Sequence, residues 1–296
     1  MEAARSRRVT ELISDILKGA LIGIAFIIPG FSGGSVAAIL GIYEKLVGAI
    51  ADIFKHFKKS IITLLPIALG LFVGIAALIF PIQWGMAFFP LPTVSLFVGL
   101  AIGGFPPLKQ AAGKATPKRI FLFFIALVIA SSLVFLPTAV KTEGFLYHLD
   151  FGGYAALFFV GLIASCALVV PGISGSMILL IFGYYTPIVT LITELILFGT
   201  MPLESIFVIF VMLCGMIIGF FLISTLMKYL LRRYPQGTHY AILGFIIGSV
   251  AAVYVPVLRT SPHLASLWYW LAAALLLLIG IAASYAFLQL AKVRIK

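Results

Sequence analysis

Charge is scarce in this sequence. Of its 296 residues only 10% are Asp, Glu, Lys or Arg, while 63% are hydrophobic and the mean hydropathy is +1.22. A soluble domain of this length needs far more polar surface to cover its core, which excludes the soluble globular classes. Cysteine is scarcer still. Cys166 and Cys214 lie within apolar runs, which suits small buried thiols rather than a disulfide framework or a metal site. No metal and no cofactor are expected. Short segments of alternating polarity are missing too, which removes a transmembrane barrel. What is abundant is uninterrupted apolar chain. Residues 61–80, 120–140, 205–227, 238–258 and 264–291 contain no Asp, Glu, Lys or Arg, and roughly 20 apolar residues suffice for a helix to span hydrocarbon. The fold class is an all-α polytopic membrane protein.

The charge that is present is one-sided. Acidic residues number 9 against 20 Lys and Arg, for a net charge of +11. Nucleic acid is one reading of such a balance, but sixteen of the basic residues fall in five short segments: Arg5–Arg8, Lys55–Lys59, Lys109–Arg119, Lys228–Arg233 and Lys292–Lys296. The positive-inside rule gathers basic residues in this way at cytoplasmic ends. The charge therefore reports topology, and no nucleic-acid partner is expected. The opening stretch MEAARSRRVTELISDILKG is read as a retained cytoplasmic head, because Glu11, Asp15 and Lys18 interrupt the place where a signal peptide has its apolar core.

One string occurs twice in the apolar chain, as PGFSGGS at 29–35 and PGISGS at 171–176. A shift of 142 residues lays 29–47 on 171–189 with eight of 19 positions identical. A shift of 145 then puts Gly70, Gly74, Gly99 and Gly103 on Gly215, Gly219, Gly244 and Gly248. Duplication is the better reading of that order, with halves at 1–145 and 150–296. The charge map gives each half one helical hairpin and three crossings. These are 12–53, 60–80, 93–107 and 120–139 in the first half, and 151–198, 205–227, 238–257 and 265–290 in the second. Both termini are cytoplasmic in this scheme, and only Lys141 and Arg259 fall outside. Three is odd, so the second half is inverted relative to the first. Inverted repeats are a signature of alternating-access transporters.

The repeated string breaks a helix. Pro29 lacks an N–H and pushes residue 28 toward extended backbone, and Ser32 is placed to cap the helix that resumes at Gly33. Such a break bares N–H and C=O groups that hydrocarbon cannot satisfy, so it must lie against protein or a water-filled cavity. The hairpins are accordingly read as re-entrant, with fully crossing hairpins as the alternative. A helix starting near Gly33 aims free N–H groups and a positive dipole end into that cavity, which suits a phosphate. The candidate substrate-binding residues are Lys18, Gly30, Ser32, Gly33, Gly34 and Ser35 in the first copy, and Gly172, Ser174, Gly175 and Ser176 in the second.

The copies differ in charge. No charged residue lies between 151 and 193, whereas the first hairpin carries Lys18, Glu44 and Lys45. Lys18 is placed either to neutralise a phosphate or to snorkel to the interface. Glu44 is a candidate carrier of a coupling proton, or a surface partner of Lys45. Tyr43 and Tyr185, matched by the repeat, are gating or substrate-facing candidates, or interfacial anchors.

The segments KGALIGIAFIIPGFSGGSVAAILGIYEKLV and GLIASCALVVPGISGSMILLIFGYYTPIV resemble the two signatures of a bacterial membrane family associated with undecaprenyl-phosphate translocation. The resemblance covers essentially the whole chain. It implies a flippase of the bacterial cytoplasmic (inner) membrane that returns polyprenyl phosphate from the outer to the cytoplasmic leaflet. The carrier lipid is thereby recycled for peptidoglycan and other envelope polymers, with H+ or Na+ as the implied coupling ion. Two positions depart from the family's pattern. Phe26 stands where a polar residue is common, which removes a contact, and Ser35 replaces a threonine but keeps a hydroxyl. A lipid phosphate also suits the physics, since its head needs shelter from hydrocarbon while its tail can stay in the bilayer through a lateral opening.

Two other classes compete. GFSGG at 30–34 formally fits the G-x-S-x-G of serine hydrolases, but a nucleophile needs a base in reach. His56, His148, His239 and His263 fall in loops or at helix ends in this topology, and GISGS breaks the pattern. The chain is not expected to be an enzyme. An anion channel or ion exchanger stays open as the alternative, because broken half-helices facing an anion serve those proteins as well.

Overall fold

Helix is what uncharged apolar chain must form in lipid, because it satisfies every backbone group within one segment. The computed structural model describes residues 2–27, 32–136, 145–198, 203–261 and 264–293, and among them there is no strand. The helices are α1 (Glu2–Ile27), α2 (Gly33–Ile39), α3 (Tyr43–Ala51), α4 (Phe57–Phe88), α5 (Pro90–Gly103), α6 (Phe105–Ala112), α7 (Pro117–Ser132), α8 (Phe151–Val169), α9 (Gly175–Ile181), α10 (Tyr185–Phe198), α11 (Leu203–Arg233), α12 (Pro235–Thr260) and α13 (Leu267–Val293). Pro90, Pro117 and Pro235 each start a helix, where φ is preset and the missing N–H would have had no partner.

By length and composition, six stretches can cross a membrane: Phe57–Leu78, Pro90–Ala112, Pro117–Phe135, Glu204–Arg233, Pro235–Arg259 and Leu267–Ala286. Large apolar side chains such as Phe72, Phe121, Trp268 and Leu278 face outward from them, as expected where the solvent is lipid. The chain is a multi-pass membrane protein. The uncharged stretch at 81–92, between the crossings read at 60–80 and 93–107, is mostly helix, because α4 continues through Pro66 and Pro81 to Phe88. Proline is tolerated in such a helix where neighbours re-satisfy the freed carbonyls. The crossing read at 93–107 is interrupted at Gly104, where α5 ends and α6 begins. Of the stretch at 120–139, residues 137–139 lie outside the described residues.

Backbone meets backbone at four helix crossings. A methyl group at Gly19 or Gly23 of α1 would strike Ile67 O or Leu71 O of α4, and one at Gly70 or Gly74 would strike Ile16 O or Ala20 O. Residue numbers rise together along both helices, so α1 and α4 run parallel. The same is true of α8 with α11, where Gly215 meets Phe158 and Gly219 meets Leu162. It holds for α5 with α13 through Gly99 and Leu277, then Gly103 and Ile281. Gly244 against Phe123 and Gly248 against Leu127 set α12 parallel to α7. Small residues four apart permit this approach, and dispersion then binds the pair. The stretches containing α5 and α12 are the most enclosed, at 61% and 50% buried against 17–22% in the other four, and these two helices touch each other.

The two ends of the molecule differ. At one, Asp52 pairs with Lys228 and Tyr240 OH donates to Gly113 O at 3.3 Å, which gathers α3, α11, α12 and the loop before α7. This is the basic end. At the other, Leu91 N–H donates to Tyr269 OH at 3.0 Å and joins the starts of α5 and α13. The joints between successive long helices are alike: Phe89 before α5 has φ −134°, ψ 55°, and Tyr234 before α12 has φ −133°, ψ 54°.

Candidate functional site

The helices that follow the two proline-glycine strings start in the same way. Ser32 and Ser174 are their N-caps, with extended backbone at φ −106°, ψ 127° and φ −94°, ψ 127°. Neither hydroxyl caps its helix, contrary to the expectation for Ser32. Instead, Ser32 O accepts the amides of Ser35 and Val36 at 3.0 and 3.3 Å. The hydroxyls of Ser32 and Ser35, 3% and 1% exposed, have no hydrogen-bond partner among the described residues. An unpaired buried hydroxyl costs about 1–3 kcal/mol; among the described residues Ser205, Ser224 and Ser261 share that state, and Ser32 and Ser35 are the two at a helix break. In the second copy the hydroxyls of Ser174 and Ser176 bond each other at 2.8 Å. Gly33, Gly34 and Gly175 are buried at the helix starts, where the first amides lack intrahelical acceptors. Gly172 has φ +86° and lies against the Phe245–Ile246 backbone of α12, so only glycine fits. Gly30 lies outside the described residues.

Tyr43 ties the copies together. Its hydroxyl donates to Val169 O at 3.0 Å, a carbonyl that the end of α8 leaves without an intrahelical partner. Tyr185, its match in the repeat, is 37% exposed where Tyr43 is 4%. The charged residues also sort differently from their order in the chain. Lys45 pairs with the buried Asp15 at 2.5 Å rather than with Glu44. Lys18 is half-buried one turn further along α1. Glu44 Oε1 lies 3.5 Å from Nε2 of His239, and Nδ1 of that ring lies 2.7 Å from Pro235 O. A carbonyl only accepts, so Nδ1 carries its proton there and Nε2 faces the carboxylate. His239 is buried near the start of α12. Asp15 and His239 were not among the candidates, because each meets its partner across a fold that spacing alone does not reveal.

Two cavities open beside the breaks. One, of about 960 Å³, reaches Ala25 and Val36 on either side of the first break. The other, of about 730 Å³, reaches Val170, Pro171 and Ile173 at the second. Their walls correspond. Ile82, Thr93 and Leu100 line the first cavity; Met227, Thr238 and Phe245, each 145 positions on, line the second. Both walls are mainly apolar. Among the described residues no charged one lines the first, whereas Arg119 and Arg233 line the second. Among the described residues no group of three or more His, Cys, Asp or Glu is arranged to hold a metal.

Comparison with known proteins places this geometry. Residues 22–265 match the model of a family described as VCA0040-like, undecaprenyl phosphate translocase-like. The chain is 29% identical over 264 residues to a polyprenyl-phosphate transporter of Vibrio cholerae serotype O1, covering 83% of this chain and 79% of that protein. It is also 29% identical over 274 residues to a polyprenyl-phosphate transporter of Staphylococcus aureus, covering 91% and 94%. No solved structure matches the chain.

Proposed function

The chain belongs to the undecaprenyl phosphate translocase-like family, and from that premise we propose that it is a flippase for polyprenyl phosphate. It carries the lipid from the outer to the cytoplasmic leaflet of a bacterial cytoplasmic membrane, with a gradient of H+ or Na+ as the driving force. The observation that carries this reading is the pair of matched apolar cavities, each reaching one helix break. Together they offer a dry wall for an isoprenoid chain beside backbone and hydroxyl donors for a phosphate. In this reading the phosphate is received by the hydroxyls and helix-start amides of Ser32, Gly33, Gly34 and Ser35, with Ser174, Gly175 and Ser176 serving the second copy and Lys18 lying on the cytoplasmic side.

Two finer features belong to the same proposal. Re-entrant hairpins are favoured because α1 runs parallel to α4 and the chain then returns, by Lys45, to the level of Asp15. From Asp15 to Ile27 is about 18 Å of helix, roughly half a bilayer. Inverted repeats, at 1–145 and 150–296, are favoured by the exchange of helix pairs: α1–α4 corresponds to α8–α11, and α5–α13 to α12–α7. In this scheme the basic end and both termini face the cytoplasm.

The test is transport of labelled polyprenyl phosphate in proteoliposomes, read by access of an external phosphatase. Protein-containing vesicles should expose the inner-leaflet pool faster than empty ones, and an imposed H+ or Na+ gradient should change the rate. Equal rates with and without protein overturn the proposal, and anion current without lipid would move the assignment to a channel.

A further inference from the structure

We propose that Arg119 and Arg233 form a phosphate-binding clamp in the second cavity, which holds the head of a polyprenyl monophosphate on the basic side of the molecule. The inference rests on the transport reading above. Arg119 lies in the first turn of α7 and Arg233 is the last residue of α11. They come from opposite halves of the chain to line one cavity, and among the described residues no acidic one shares its wall. The positive-inside rule accounts for basic residues at this end, but not for which of them converge. Arg232, the next residue back, lines only the neighbouring pocket that holds Asp52 and Lys228, whereas Arg233 borders both.

The geometry leaves the guanidinium groups available. Arg119 Nη1 donates to Lys114 O at 2.6 Å, which steadies the fork and leaves other N–H groups free of that bond. Arg233 sits 5.9 Å from the centre of the Tyr234 ring. Planar forks of this kind match phosphate oxygens two at a time. Beyond them the wall is apolar, with Leu122, Met227, Ala241 and Ile242. From Pro235 to Phe245 the cavity follows α12 for about 15 Å, and it ends where Gly172 meets Phe245. A compact anionic head and a single long hydrocarbon chain fit that division. The corresponding cavity repeats the apolar wall with no cation among the described residues, so the clamp belongs to one of the two matched pockets.

Binding to the full-length protein in nanodiscs tests this, with a long-chain polyprenyl monophosphate, the matching polyprenol and inorganic phosphate as probes. Arg119→Gln and Arg233→Gln should each weaken the lipid phosphate about tenfold, the loss of one charge-assisted pair. Polyprenol binding should not change, which also reports that the variants are folded. Arg119→Lys should recover part of the loss, and Arg232→Gln should behave as wild type. In the wild type, added salt should weaken the phosphate lipid and spare the polyprenol. If the double variant binds the lipid phosphate normally, or binding ignores salt, the clamp is refuted while transport by the wild type still upholds the flippase. Inorganic phosphate binding as tightly as the lipid would overturn the lipid as occupant. A wild type that neither binds nor moves the lipid removes both readings.

Discussion

The two helix breaks share a backbone and differ in what they do with their side chains. Each begins a short helix at an extended serine, and each short helix is followed by a glycine in the left-handed region, Gly41 at φ +70° and Gly183 at φ +76°. In the first copy two buried hydroxyls stand unpaired among the described residues, and the flanking helices carry Asp15, Lys18, Glu44 and Lys45. In the second the hydroxyls satisfy each other, and Gly172 locks the chain against α12. The backbone is alike at the two breaks, and the polar chemistry on it is unequal.

Substitutions at matched positions would break or sharpen that contrast. The largest effect is expected at Gly172→Ala, which meets both a left-handed φ and the α12 backbone; it should cost ~3 kcal/mol or more in thermal unfolding. Gly41→Ala has the same sign of φ but open space beside it, and about 1 kcal/mol is expected. Tyr43→Phe leaves Val169 O without its partner and should cost ~1–3 kcal/mol, while Tyr185→Phe should leave the melting temperature unchanged. Ser35→Ala removes an unpaired buried hydroxyl, so it should hold or raise stability yet lower polyprenyl phosphate transport about tenfold if that hydroxyl meets the phosphate. Ser174→Ala, which strands Ser176, should show the opposite balance. A Ser35→Ala variant that transports normally would separate the unpaired hydroxyl from function. The smallest stability change belongs to Glu44→Gln, whose side chain is 64% exposed; within ~0.5 kcal/mol of wild type is expected. The same variant should lose acceleration by a proton gradient.

Much of this was legible from the letters. Uncharged runs mark α4, α7, α11, α12 and α13 because hydrocarbon tolerates little else, and the glycine offset of 145 marks the equal positions at which pairs of helices touch. Which helices those glycines face was not legible, since nothing in the spacing says that Gly99 meets α13 or that Gly244 meets α7. The crossing read at 60–80 fell short of the helix end, because α4 continues through Pro81 to Phe88. The charged site resisted for a different reason. Lys45 has an acidic neighbour in sequence, yet its partner is Asp15 on another helix, and His239 reaches Glu44 only because α12 passes α3. Arg119 and Arg233 looked like two more topology signals until the fold brought them to one cavity.

The glycine crossings have a mechanical consequence. Helices in backbone contact cannot slide without collision, so each parallel pair behaves as a stiff strut, and any change of shape must be taken up between struts. Phe89 and Tyr234 sit at such joints, at opposite ends of the molecule, with dihedral angles that agree within a degree or so. Under the proposed flippase reading, a small rotation at these two matched joints is expected to widen one mouth as it narrows the other. Spin labels within α1 and α4 should then keep one separation throughout the transport cycle, while pairs spanning Phe89 or Tyr234 should report two.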